Sequence, residues 1–261
     1  MNNAGNPFLE GVEIARREMT LFFLLDSSGS MTGSKIGALN AALEETFPEL
    51  KDISENNADA KIQVAIMEFS SGVKWLTPNG PVDINSYQWN TDLQPAGVTD
   101  LGAACIELSR KLSKSENGGF MKSASGSFAP VIFLMSDGSP TDNFEAGLQK
   151  LKQNNWYKAA IKVAVAIGDD ADEAILAEFT GTSEAVFKVN NRAQLKYMVR
   201  QVSVTSSMVA STSAAVSEFG TDSGSDIIDT SIVESTAKQA TVINALNDVA
   251  TDAPDDDSIE W

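Results

Sequence analysis

Five consecutive apolar residues, Leu21-Phe22-Phe23-Leu24-Leu25, stop abruptly at Asp26-Ser27-Ser28-Gly29-Ser30-Met31. A short apolar run closed by polar residues predicts a strand buried on both faces, here Met19 to Asp26. Helical spacing follows: Leu39, Ala42, Leu43, Phe47 and Leu50 share one face and predict a helix over Lys35 to Ser54. Pro48 inside it is expected to bend the helix or start a new turn. Ile62, Val64 and Ile66 alternate with their neighbours and predict a strand over Lys61 to Phe69. Ser70-Ser71-Gly72 then turns the chain into a short edge strand, Val73 to Leu76.

The second half repeats the alternation. A helix is expected at Leu101 to Leu112, a Ser/Gly-rich surface loop at Lys114 to Ser127, and a strand at Val131 to Ser136. After them come a helix at Asn143 to Gln153, a strand at Lys162 to Ile167 and a helix at Asp172 to Phe179. A short strand, Ala185 to Val189, and a closing helix, Ala193 to Ser207, complete the series. Strands alternating with helices predict an α/β fold: a doubly wound, mostly parallel sheet with helices on both faces. The expected organisation is a lead-in over residues 1–17, a domain over 18–208 and a tail over 209–261.

In the tail the pattern changes. Ser, Thr, Asp and Gly dominate up to Asp229, as in a flexible linker. Ser231 and Glu234 then fit a helix-capping pair. Ile232, Val233, Ala237, Ala240, Ile243, Leu246, Val249 and Ala250 form one face of a short helix over residues 231–250. With a linker before it, this acidic tail is expected to be flexible and dispensable for the stability of the body.

Composition narrows the chemistry. The chain has 261 residues, no His and a single Cys, Cys105. That removes the commonest general base, the Ser-His-Asp and Cys-His hydrolases and any intramolecular disulfide, and leaves little to hold zinc. The net charge of −17 argues against nucleic acid or an anionic membrane as partner. By count, residues 217–261 carry −10 and residues 1–216 carry −7. The first residues show no secretory signal and no run is long enough to span a bilayer, which gives a cytoplasmic expectation.

The strand that ends at Asp26 delivers one carboxylate and two hydroxyls, Asp26, Ser28 and Ser30, into a turn at its C-terminal end. In open α/β sheets ligands bind at that end. Hard oxygen donors suit a hard divalent cation such as Mg²⁺. A strand-to-helix cap would use the same residue types. Phosphatases of the haloacid dehalogenase type need Asp where Ser28 stands, and Gly29 to Lys35 lacks the spacing of a P-loop. No catalytic acid–base pair is evident, so the chain is not expected to be an enzyme.

The Asp26-x-Ser28-x-Ser30 turn resembles the first part of the metal-ion-dependent adhesion site (MIDAS) of von Willebrand factor A domains. Pro95-Ala96-Gly97-Val98-Thr99-Asp100-Leu101-Gly102 resembles that family's threonine loop, with Val98 where the family often has a second glycine. Phe133-Leu134-Met135-Ser136-Asp137-Gly138-Ser139-Pro140-Thr141-Asp142 resembles its later aspartate segment. Within the family the chain is most similar to the bacterial TerY-like group, associated with tellurium resistance. The resemblance covers about residues 18–205. It implies a metal held by Asp26, Ser28, Ser30, Thr99 and Asp137, with Mg²⁺ expected and Mn²⁺ or Ca²⁺ as alternatives. It further implies a protein partner that supplies an Asp or Glu to the metal, in a tellurite, metal-stress or defence system with a protein kinase and a phosphatase of the 2C type. The rival is an accessory subunit of an ATP-driven, chelatase-like machine. Asp169-Asp170 and Asp172-Glu173 read as acids at a helix start, Trp75 and Trp89 as packing residues, and Cys105 as a small buried side chain.

Overall fold

The computed structural model describes residues 16–58, 60–122, 127–189, 191–211 and 225–250. Its sheet has β1 (Arg17–Asp26) at the centre. Parallel to β1 on one side runs β2 (Ala60–Ser70), and on the other β5 (Val131–Ser136). Two short antiparallel strands, β3 (Gly72–Trp75) and β4 (Val82–Asp83), pair with β2. Beyond β5 lie β6 (Ile161–Ile167) and β7 (Val186–Val189), both parallel. The order β3-β2-β1-β5-β6-β7 reverses direction between β1 and β5, which opens a crevice at their C-terminal ends.

The alternation of β1 divides the core. Leu21, Phe23 and Leu25 join the cluster under α1 (Ser34–Asn56) and α6 (Arg192–Ser211). Phe22 and Leu24 join the opposite cluster, under α2 (Leu101–Lys111), α3 (Phe144–Lys152) and α5 (Glu173–Thr180). Both faces are therefore covered, which is why the strand is apolar at every position rather than at every second one. Trp89 stacks on Phe47 with ring centroids 5.4 Å apart, and Trp75 packs edge-on against Phe22 at 6.4 Å. Cys105 is fully buried.

Four expectations change. Pro48 does not start a new helix: α1 runs unbroken over Ser34–Asn56. Pro48 and Glu44 both lie on its exposed face, so the carbonyl freed by the missing N–H can bond to water. A further helix, α4 (Asn155–Ala159), is capped by the Asn154 side chain, which accepts from the N–H groups of Trp156 and Tyr157. The closing helix continues to Ser211, past Ser207.

The last change concerns the tail. Its helix, α7, spans Ser225–Ala250 and starts within the stretch read as linker. It contacts α6, α4 and β6. Val242, Ile243 and Leu246 are buried, whereas Ala237 and Ala240 are exposed. Val242 and Leu246 belong to the same apolar cluster as β1 and α1. This end of the tail is thus a packed layer of the body. The side chains of Ile232, Val233, Val249 and Ala250, and residues 251–261, lie outside the described residues.

On the other face, α2 and α3 approach to backbone contact. A Cβ on Gly147 would lie 2.3 Å from the Gly102 carbonyl oxygen, and one on Gly102 would lie 2.6 Å from that of Asn143. Among the described residues no helix is long and apolar enough to cross a membrane.

Candidate metal centre

Three segments meet in the crevice between β1 and β5. The first is the turn after β1. Asp26 ends the strand fully buried, and its Oδ1 accepts the Ser28 N–H at 2.8 Å. This closes a tight turn that carries the Ser28 hydroxyl to 3.0 Å from that of Ser30. Ser28 is buried and Ser30 exposed, so the pair runs from the floor of the site to its rim.

The second segment is the loop before α2. The Gly29 N–H donates to the Gly97 carbonyl at 3.2 Å, and the Ala96 N–H to the Ser27 carbonyl at 2.9 Å. Gly97 has φ +75°, and a Cβ there would lie 2.2 Å from Ser71 Oγ. Glycine is needed on both counts. The loop sets Thr99 in a buried position beside exposed Val98. Asp100 Oδ2 accepts the Gly72 N–H at 2.7 Å, which ties the loop to the β2–β3 turn.

The third segment follows β5. Register pairs Leu25 with Met135, so Asp26 faces Ser136 across the two strand ends. The Ser136 hydroxyl donates to Asp26 Oδ2 at 2.5 Å and accepts the Gly138 N–H at 2.8 Å. Asp137 is 2% exposed. Thr141 exchanges bonds with Thr99: its N–H reaches the Thr99 carbonyl at 2.9 Å, and its hydroxyl accepts the Thr99 N–H at 3.0 Å. Asp142 accepts from Gly102 and Ala103 at 2.9 and 2.8 Å, capping the start of α2.

All five residues expected at the site therefore lie on these three turns. Sequence reading missed Ser136, Thr141 and Asp142, which brace the turns. It also missed Lys35, whose ammonium lies 3.3 Å from Asp137 Oδ2 and 2.6 Å from Asp170 Oδ1. Asp170 is not simply an acid at a helix start. That role belongs to Asp172, which caps α5 by accepting from Ala174 and Ile175.

Lys35 compensates the charges of the site only in part, because it is shared between Asp137 and Asp170. Burial pushes the Asp26 carboxyl above the usual range, the bonds from Ser136 and Ser28 pull it back, and the Asp137 charge pushes it up again. Asp137 Oδ1 is buried with no hydrogen-bond partner. Native structures rarely leave a buried carboxylate oxygen in that state. Two carboxylates and three hydroxyls form an all-oxygen donor set, which fits a hard divalent cation. Among the described residues there is no group of three or more His, Cys, Asp or Glu placed to hold a metal, so any ion here relies on the hydroxyls.

This architecture, a mostly parallel sheet with a hydroxyl–carboxylate crevice at its switch point, defines a class of α/β domain. The chain belongs to the von Willebrand factor type A domain family, whose pattern matches residues 20–201. Among solved structures, a von Willebrand factor type A protein from Catenulispora acidiphila aligns with TM-score 0.53 and 15% identity, over 74% of this chain and 43% of that one. The proximal thread matrix protein 1 of the mussel byssus, with a zinc-occupied MIDAS motif, aligns with TM-score 0.52 and 16% identity, over 73% and 48%. The pilus adhesin SpaC of Lactobacillus rhamnosus GG aligns with TM-score 0.54 and 10% identity, over 74% and 31%. The match thus spans less than half the length of each of these proteins. No curated protein matches the chain.

Proposed function

We propose that this chain is a binding module without catalytic activity, which holds a divalent cation, Mg²⁺ by preference, through Asp26, Ser28, Ser30, Thr99 and Asp137. The single observation that carries the reading is the buried Asp137 oxygen without a partner, one strand away from a second buried carboxylate. Lys35 reaches only Oδ2 of Asp137, so a cation at Oδ1 is what this pair lacks. The zinc-occupied MIDAS of the mussel protein supports a divalent ion in this fold.

When bound, the cation supplies an open coordination position for an incoming carboxylate. The chain's own residues do the rest. The Ser28–Ser30 pair leaves the upper side of the site neutral. Thr99 is held from below by Thr141, and exposed Val98 gives the partner an apolar contact at the rim. The occupant is an Asp or Glu of a protein partner. The charge of −17 disfavours nucleic acid and anionic membranes. The motifs shared with the TerY-like group support a place in a bacterial tellurite, metal-stress or defence system, in the cytoplasm, with a kinase and a phosphatase of the 2C type as partners.

Calorimetry with Mg²⁺, Mn²⁺ and Ca²⁺ on the intact chain and on Asp137→Ala tests the metal. We expect binding in the former and none in the latter, with both folded. Equal affinity would sink the assignment. Partner capture in Mg²⁺ and in chelator then tests the role, and capture that persists unchanged in chelator would refute it.

A further inference from the structure

Lys35 sits in the first turn of α1, where a cation meets the unfavourable end of the helix dipole. Helix formation therefore does not explain it. Its side chain is 12% exposed and reaches two carboxylates, Asp137 at 3.3 Å and Asp170 at 2.6 Å. The surroundings are built for it. Gly168 has φ +96°, and a Cβ there would lie 2.5 Å from Lys35 Cε and 2.9 Å from Asp170 Oδ1. The loop carrying Asp170 is fastened to the same turn as Asp137, because the Asp172 N–H donates to the Asp137 carbonyl at 2.7 Å. Asp170 itself is largely exposed, so the ammonium bridges a buried and a solvated carboxylate.

We propose that Lys35 is a tethered cationic competitor at the metal centre, with Asp170 as its second anchor. In the metal-free protein the ammonium neutralises Asp137. When a divalent cation takes that carboxylate, the ammonium stays on Asp170 and need not be expelled into solvent or left unpaired. The device weakens cation binding and keeps the empty site from unfolding. The inference rests on the metal reading above and adds how that site is regulated.

Removing the lysine removes a unit positive charge within a few ångströms of a ligand. An opposite charge at that range typically lowers a carboxylate's affinity for a proton by roughly 10- to 1000-fold, and a divalent cation meets the same repulsion. In calorimetry of the full chain with Mg²⁺ or Mn²⁺, Lys35→Met should bind about tenfold tighter or more. Asp170→Asn should bind more weakly, because Lys35 is then left to Asp137 alone. The double variant should match Lys35→Met, since without the lysine Asp170 has nothing to restrain. Melting adds a readout independent of affinity. In chelator, Lys35→Met should melt below the wild type, and saturating Mg²⁺ should close the gap. Lys35→Met binding no tighter than wild type overturns the proposal, as does Asp170→Asn binding like wild type or a gap that Mg²⁺ does not close. Wild-type binding with any of those results leaves the metal reading standing; no binding by the wild type or by Lys35→Met overturns both. Binding by Lys35→Met alone supports the competitor and limits the wild-type site to higher cation concentrations.

Discussion

Replacing Leu246 by Ala should destabilise the whole domain, although Leu246 lies 45 residues past the last family-matched position, 201. The side chain is 1% exposed and belongs to the cluster that also contains Phe23 and Leu43. Truncation of a buried Leu to Ala costs about 2–5 kcal/mol, depending on how far the site collapses. As an outer helix, α7 can shift inward more easily than a central strand, so about 2–3 kcal/mol is expected. For a domain of this size that is a drop of roughly 5–10 °C in melting temperature. The assay is thermal and urea unfolding of Leu246→Ala beside Asn247→Ala, whose side chain is exposed and whose change should stay within about 0.5 kcal/mol. Ending the chain at Ser211 should cost more, since Val242, Ile243 and Leu246 all leave and uncover α6 and β6. If Leu246→Ala and the shortened chain both melt with the wild type, α7 is not part of the folded body.

Three other outcomes are expected. Asp142→Ala removes the acceptor for two N–H groups at the start of α2 and should cost about 1–2 kcal/mol in urea unfolding; unchanged stability would remove Asp142 from the cap. Gly97→Ala should weaken Mg²⁺ binding in calorimetry, because the new methyl meets Ser71 Oγ; adding Ser71→Ala should restore part of it, and wild-type binding in Gly97→Ala would show that the loop yields at no cost. Burial pulls the Lys162 ammonium down to about 8, below the roughly 10.4 of the unfolded chain. Between those values the unfolded state binds a proton that the folded state does not, so stability rises with pH across that window. Urea midpoints from pH 7 to 10 should show the rise in the wild type and a smaller one in Lys162→Met; parallel curves would contradict it.

The central elements were legible because their signals are local. Leu21 to Leu25 announces a two-sided strand, and the Asp26, Thr99 and Asp137 turns each follow directly from a strand or precede a helix. Lys35 was not legible. Its meaning comes from Asp137, more than a hundred residues on, and nothing in Gly33-Ser34-Lys35 points there. The α4 helix was missed because Asn155–Ala159 is too short to show a period. In the tail, Ile243 and Leu246 were rightly placed on one helical face, but acidity and Ser/Thr content suggested a solvated segment. Composition averages over the helix, whereas docking depends on the few residues around Val242.

The glycine contact between α2 and α3 has a mechanical consequence. With no side chain at Gly102 or Gly147 to act as a cushion, the two helix starts touch backbone to backbone and cannot slide past one another. Asp142 and Thr141 rivet the same junction from the β5 side. The Thr99 loop and the Asp137 turn therefore behave as one stiff jaw. The Ser28–Ser30 turn is joined to that jaw at its root by Ser136–Asp26 and at its outer side by Gly29–Gly97 and Ala96–Ser27. A load applied by a partner gripping the centre would be carried by the whole α2–α3 block, and the joint would give first along the seam beside Gly97.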